Sequence, residues 1–268
     1  MKKIFFLFLL AGNATHAQEL FVYTEPASNM PARSLGIRLG NMLMKEKGTD
    51  TYEYHLIPEI MVAANKKLML HADAFLSNVD KKFSLEGGSF YAKYRLLSYD
   101  QVHSHFRVAA YARISFNNSI VHQEEIDLYG HNSGYSAGVV ATQLLHKVAI
   151  SANAAYLRAT DNGSGNKFPA AQSKDAASYS LSFGKLLLPK EYTGYKQTNL
   201  NLMVEFLGQT SGDNGKSFLD AAPVIQFIFN SQARVDIGYR TQLYSSMYRT
   251  APNGFMLRFE YLFFNAFK

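Results

Sequence analysis

His105-Phe106-Arg107-Val108-Ala109-Ala110-Tyr111-Ala112-Arg113-Ile114-Ser115-Phe116 sets Phe106, Val108, Ala110, Ala112 and Ile114 against His105, Arg107, Tyr111 and Arg113. Side chains along a strand point alternately to opposite faces, so this stretch reads as a strand with one apolar and one charged face. The preceding window, Ser89 to Ser98, repeats the pattern, with Phe90, Ala92, Tyr94 and Leu96 opposed to Tyr91, Lys93 and Arg95. Two such strands in succession fix the class as all-β. The question is then how far the pattern extends.

It extends through the chain. Upstream, the alternation predicts strands over Ser34 to Met44, Tyr52 to Ala63 and Leu68 to Ser77, with Arg38, Glu53, His55, Glu59, His71 and Asp73 on the polar faces. Downstream it predicts Ala177 to Leu187, Asn199 to Gly208, Leu219 to Phe229, Ala233 to Tyr244 and Phe255 to Phe264. The windows Tyr135 to Leu144 and Val148 to Arg158 are rich in Ala, Ser and Gly, which leaves their faces unassigned. Windows of about ten alternating residues separated by polar, Gly- and Asn-containing stretches are the signature of a transmembrane β-barrel, and twelve is an even number, as single-chain bacterial barrels require. No apolar run after the first residues approaches the ~18–20 that a membrane-spanning helix needs; Ala221 to Phe229, the longest, contains Pro223 and Gln226.

Composition agrees. Among 268 residues, 47% are hydrophobic and 14% aromatic, divided between 20 Phe and 17 Tyr with no Trp. Charged residues make up 18%, below the roughly 25% of soluble domains. The absence of cysteine excludes disulfides, thiolate metal sites, a catalytic cysteine and a lipid anchor on an N-terminal Cys.

Met1-Lys2-Lys3, the apolar Ile4 to Ala11 and Thr15-His16-Ala17 have the three-part form of a secretory signal peptide cleaved after Ala17. Its removal lowers the formal charge from +6 to +4. No lysine- and arginine-rich block occurs, so nucleic acid is not an expected partner. The expected organisation is a signal peptide over 1–17, an N-terminal periplasmic segment over 18–32 and the barrel over 33–268. Glu19 to Ala32 is expected to be a periplasmic tail; its alternative is to fold into the barrel mouth.

Connection lengths test the strand count, because such barrels alternate short periplasmic turns with long outer loops. Asn117 to Asn132, Thr160 to Asp175, Gln209 to Phe218 and Ser245 to Gly254 are long and fall on odd connections. Ala64 to Lys67, Leu145 to Lys147 and Asn230 to Gln232 are tight and fall on even ones. Tyr99 to Ser104 and Pro189 to Thr198 break the rule. A secreted β-sandwich would also alternate, but it would hide its apolar faces. The number of strands, the low charge and the C-terminal Arg258-Phe259-Glu260-Tyr261-Leu262-Phe263-Phe264-Asn265-Ala266-Phe267 favour the membrane barrel. That last stretch resembles the aromatic C-terminal signal read by the outer-membrane insertion machinery, with Lys268 added after the final Phe.

Leu200-Asn201-Leu202-Met203-Val204-Glu205-Phe206, Pro223-Val224-Ile225-Gln226, Asn230 and Val235-Asp236-Ile237-Gly238-Tyr239-Arg240 resemble outer-membrane transporter barrels of the meta-pathway phenol-degradation family. The resemblance spans about 70 residues and implies transport without naming a substrate.

In such a barrel the polar face lines a lumen and its charges set selectivity. The expected lumen set is Arg38, Glu53, Glu59, His71, Asp73, Lys93, Arg95, Arg107, Arg113, Glu205, Asp236, Arg240, Arg258 and Glu260. Lys93, Arg95, Arg107 and Arg113 would form a basic wall beside an acidic one of Glu53, Glu59 and Asp73. Alternatively these groups pair across strands and plug the lumen. His55 and His71, with Glu59 and Asp73, raise a metal site, and Met30, Met42, Met44, Met61 and Met69 raise a copper path. Lumen hydrogen bonding and apolar packing are the plainer readings, and no cofactor is expected. Ser119 with His122, or His131 with Ser133, could serve a barrel hydrolase. No local signature accompanies them, so no enzyme is expected. The functional expectation is an outer-membrane channel or transporter for a small solute, embedded in outer-membrane lipid. Its alternative is an adhesive barrel with a closed lumen, whose loops Asn117 to Asn132 and Thr160 to Asp175 bind a partner.

Overall fold

The computed structural model describes residues 21–191, 194 and 196–267; the expected signal peptide over 1–17 lies outside them. Twelve antiparallel strands close into one barrel: β1 (Ser34–Lys45), β2 (Tyr52–Ala63), β3 (Leu68–Ser77), β4 (Ser84–Asp100), β5 (Ser104–Asn117), β6 (Gly134–Leu145), β7 (Val148–Ala159), β8 (Asp175–Leu188), β9 (Asn199–Ser211), β10 (Ser217–Phe229), β11 (Ala233–Ser245) and β12 (Asn253–Phe263). Each strand pairs with its sequence neighbours. β1 closes on β12 in a register running from Leu35 opposite Phe263 to Lys45 opposite Asn253. Closure leaves no unpaired edge, which lets a sheet stand in lipid with its backbone groups satisfied.

The two faces divide as the alternation demands. Ile37, Ile60, Phe90, Val139, Leu202 and Ile225 point outward and are 44–63% exposed, part of an apolar belt to which every strand contributes. Inward positions are buried and hold most of the charged side chains, interspersed with apolar ones such as Ile57, Met61, Met203 and Val224. In β6, Ser136, Val140 and Thr142 face in, and Tyr135 and Val139 face out, which settles one strand whose faces the sequence left open. Bulges interrupt the register at Phe75/Leu76, Arg95/Leu97, Leu186/Leu188 and Leu219/Asp220.

Most of the tight turns lie at one end and the two longest loops at the other. Residues 64–67, 101–103, 146–147 and 230–232 are turns at the end where β1 begins and β12 ends, which the longer connection 189–198 shares. The expected long stretch from Tyr99 shrinks because β4 continues to Asp100. At the other end, residues 118–133 and 160–174 are long loops.

Two segments enter the barrel and fill much of it. From the turn end, residues 21–30 run inside the lumen, with Phe21, Ala27 and Met30 almost wholly buried. The expected tail over 18–32 is therefore, for its described residues, an inner segment. Phe21 packs with Ala149, Met203, Val224 and Met256, and Met30 with Met61, Ala63, Met69 and Leu262. From the loop end, residues 123–133 of the loop 118–133 fold inward, leaving Ile120 and His122 exposed, and Ile126 and Leu128 pack with Leu157, Ala159, Phe168 and Ala176.

Candidate functional site

The inner segment forms a floor, the inward loop forms a roof, and between them lies a cavity of about 330 Å³. The floor contributes Val22, Tyr23, Thr24 and Glu25, and the roof contributes the run Glu125 to Tyr129. Its walls include Arg38, Glu59, Arg113, Arg240 and Arg258. These wall residues come from alternate positions of separate strands, which is how a barrel gathers charge at one level.

The floor is held by charged side chains gripping backbone. Glu205 accepts hydrogen bonds from the N–H groups of Val22, Tyr23 and Thr24 at 2.8, 3.0 and 2.8 Å. Arg258 donates to the carbonyls of Val22 and Phe21 at 2.9 and 3.2 Å. Lys93 donates to the carbonyls of Pro26 and Ser28 at 2.8 Å each and lies 3.4 Å from Glu25. Arg107 donates to Ser28 Oγ at 3.0 Å. An irregular segment at this depth is tolerated only where its polar groups find such partners.

Along the cavity wall, Arg38 joins Glu25, Glu59 and Glu260 at 2.8, 2.9 and 2.8 Å. Glu59 also meets His71 Nδ1, and Arg234 reaches Glu260 at 2.7 Å. Asp236 is held by Arg258 at 2.8 Å and by Gln226, which donates at 2.8 Å. Arg113 contacts Asp73 at 2.5 Å, with its guanidinium over the rings of Tyr91 and Tyr129 at 5.1 and 4.7 Å.

The roof is pinned by a second network. Arg249 bridges Asp220 at 2.7 Å and Glu125 at 2.6 Å, and Arg240 bridges the same two acids at 2.7 and 3.1 Å. The Arg249 guanidinium lies 4.0 Å above the Phe218 ring. Gln209 accepts from the Ile126 N–H and donates to its carbonyl, each at 2.9 Å. Burial pushes the Glu125 carboxyl up, but Arg249 and Arg240 outweigh it and hold the group at about 2. Glu124 is also lowered, chiefly by the hydrogen bond from Lys216.

Of the expected lumen residues, all but Arg95, Arg113 and Arg240 are buried inward, and Arg113 and Arg240 are largely so. Arg95 is half-buried beside the β4 bulge. The expected separation into a basic and an acidic wall is not what forms. Arg113 meets Asp73, Arg107 meets Asp100 at 2.7 Å, and Lys93 turns to the inner segment. Charge removed from water is stable only when paired, and the partners came from an adjacent strand for Arg107, from the strand beyond it for Arg113 and from the inner segment for Lys93. Composition and alternation missed Glu25, Glu125, Asp220 and Arg249. The acidic pair Glu124-Glu125 and the apolar Val121, Ile126 and Leu128, inside a segment read as an outer loop, were the available signal.

Other candidates fall elsewhere. His55 stands opposite Ser77, and His71 opposite Met61, so six residues of strand, about 20 Å, separate the two imidazoles. Met30, Met61 and Met69 share one apolar cluster, whereas Met42 packs beside Phe21. Ser119 Oγ donates to Asn117 Oδ1, and His122 lies 3.3 Å from Asp80. Ser133 Oγ donates to the Asn117 carbonyl at 3.1 Å. Neither serine is hydrogen-bonded to the histidine with which the sequence paired it.

No family model and no curated protein matches the chain. Solved structures do. An outer membrane channel from Pseudomonas putida F1 superimposes with a TM-score of 0.58 at 11% identity, over 91% of this chain and 100% of that one. The NanC porin superimposes with a TM-score of 0.51 at 10% identity, over 85% and 98%. At such identities the likeness concerns architecture: this chain has the closed-barrel fold of outer-membrane channels.

Proposed function

We propose that the chain is an outer-membrane channel that passes a small polar solute through a lumen narrowed by its own inner segment and inward loop. The observation that carries the reading is the charged cavity between those two segments, enclosed by a barrel whose outer belt is apolar. A bilayer accounts for that belt, because an apolar band around a closed barrel is what lipid selects. The fold shared with outer-membrane channels supports the location and the class of function. Membrane lipid, the insertion machinery acting on the C-terminal strand and a small solute are the partners this reading requires. The resemblance of the last third to phenol-degradation transporters points the same way and leaves the solute open. The adhesive alternative is weakened, since residues 123–133 of one of its two loops turn into the barrel rather than outward.

The test is single-channel recording of refolded mature protein in planar bilayers under a salt gradient, beside a variant lacking residues 19–32. Discrete openings are expected from both, with larger conductance in the truncated barrel because Glu205, Lys93 and Arg258 then face water. A correctly folded, heat-modifiable truncated barrel that passes no current would overturn the channel reading.

A further inference from the structure

The inward loop carries a histidine to the barrel wall. His131, in the loop, meets His55 of β2 edge-on, with ring centroids 4.9 Å apart and planes at 61°. Glu53 lies two residues before His55 on the same inward face, and both are buried, with exposures of 6% and 5%. One ligating atom from each of Glu53, His55 and His131 lies within 4.8 Å of the other two. His55 Nε2 is buried without a hydrogen-bond partner, and the Glu53 carboxylate is 3.7 Å away, beyond hydrogen-bonding range. Leaving a buried polar atom unsatisfied is costly, so its position calls for something to bond to it.

The surroundings favour a cation. Asp127 Oδ2 stands 3.9 Å from His131 Nε2. Glu86, through Oε1, accepts from Ser77, the residue paired with His55, and its Oε2 is buried without a partner. The other histidine–carboxylate group, Glu25, Glu59 and His71, differs because Arg38 already binds both of its carboxylates and Lys93 approaches Glu25. A dication there would meet two cations.

We infer that Glu53, His55 and His131 form a binding site for a divalent transition-metal ion of the zinc class, which ties the inward loop to β2. Two imidazoles and a carboxylate are a zinc donor set, with the fourth position open to water. Imidazole-rich sites also take copper and nickel, and availability decides among them. Because one ligand comes from the loop and two from a strand, the ion binds the docked loop in preference to a released one and stabilises docking by mass action. The site holds whether or not the barrel conducts.

The test is calorimetric titration of refolded mature protein with zinc chloride, with hydrogen exchange of the Ile126 and Asn132 amides recorded with and without the ion. One zinc per chain is expected, with exchange at both amides slowed. His131→Ala should weaken binding about a hundredfold or more, since losing even an outer-shell partner costs roughly 10–100-fold. His71→Ala should leave binding unchanged. Because His55 sits in a strand, the loop variant His131→Ala decides, with heat-modifiability confirming that it folds. No binding at about millimolar zinc, or equal affinity in His131→Ala and the unaltered protein, would overturn the assignment.

Discussion

Glu205 shows how one residue can hold an element that has no regular structure. It is fully buried on β9 and accepts three backbone N–H groups from consecutive residues of the inner segment. Hydrogen bonds to a charged group contribute about 1.5–3 kcal/mol each, so Glu205→Ala is expected to free Val22 to Thr24 while leaving strand pairing intact. Hydrogen exchange would show protection lost at these three amides and retained in β9 and β10. Protection that persisted at Val22 would mean that apolar packing of Phe21 alone secures the segment. Arg38 is the converse case, one cation facing Glu25, Glu59 and Glu260. Arg38→Met would remove the one cation that touches all three carboxylates. Removing one partner from a buried ion cluster costs roughly 3–5 kcal/mol, which folding into phospholipid vesicles under urea would measure. Arg38 was legible as a lumen residue from its place between Ile37 and Leu39. Its partners were not, because Glu25 and Glu260 lie 13 and 222 residues away along the chain; closure of the ring brings Glu260 beside it, and entry of the inner segment brings Glu25.

At the scale of elements, alternation located the strands, and it failed where glycine replaced the apolar face. β4 begins at Ser84, five residues before its expected start, because Glu86-Gly87-Gly88 carries no periodic signal. A Cβ on Gly87 would lie 1.9 Å from the Phe116 carbonyl oxygen, so close backbone approach required the residue that hid the strand. The inner segment and the inward loop were harder still, because what fixes them is side chains far off in sequence rather than local pattern. The inward loop has a definite pH response. Glu125 is held at about 2, against an ordinary value of 4.5, by Arg249 and Arg240. A depressed carboxylate stabilises the docked loop fully above its undocked value, and that contribution is lost as pH falls through the docked one. Docking should therefore be constant from neutrality to about pH 5 and weaken between 4.5 and 2. Exchange at the Ile126 amide, which Gln209 protects in the docked loop, would report it. Glu125→Gln should undock more readily at neutral pH and show little of this acid response. An unchanged acid response in that variant would assign the titration to another group.

For the whole molecule, the strongest claim is that the apolar belt meets lipid, and it can be tested without assuming that the lumen conducts. Val139 lies near the middle of β6 and Tyr135 near its loop end, and both point outward, 48% and 47% exposed. In water the two positions are equivalent, so replacing either with lysine would have a similar small effect. In a bilayer they differ in depth, and the cost of a lysine falls from about 2–4 kcal/mol at the midplane to about 0–1 near the interface. Val139→Lys should therefore destabilise the vesicle-folded barrel by about 2–4 kcal/mol, and Tyr135→Lys by about 1 kcal/mol or less. Neither substitution touches the lumen, so both barrels should retain the ion pairs around Arg38 and Arg249. Equal costs at the two depths would place the belt outside a bilayer. The alternation would then need another apolar surface to account for it, such as a second copy of the barrel packed against the same face.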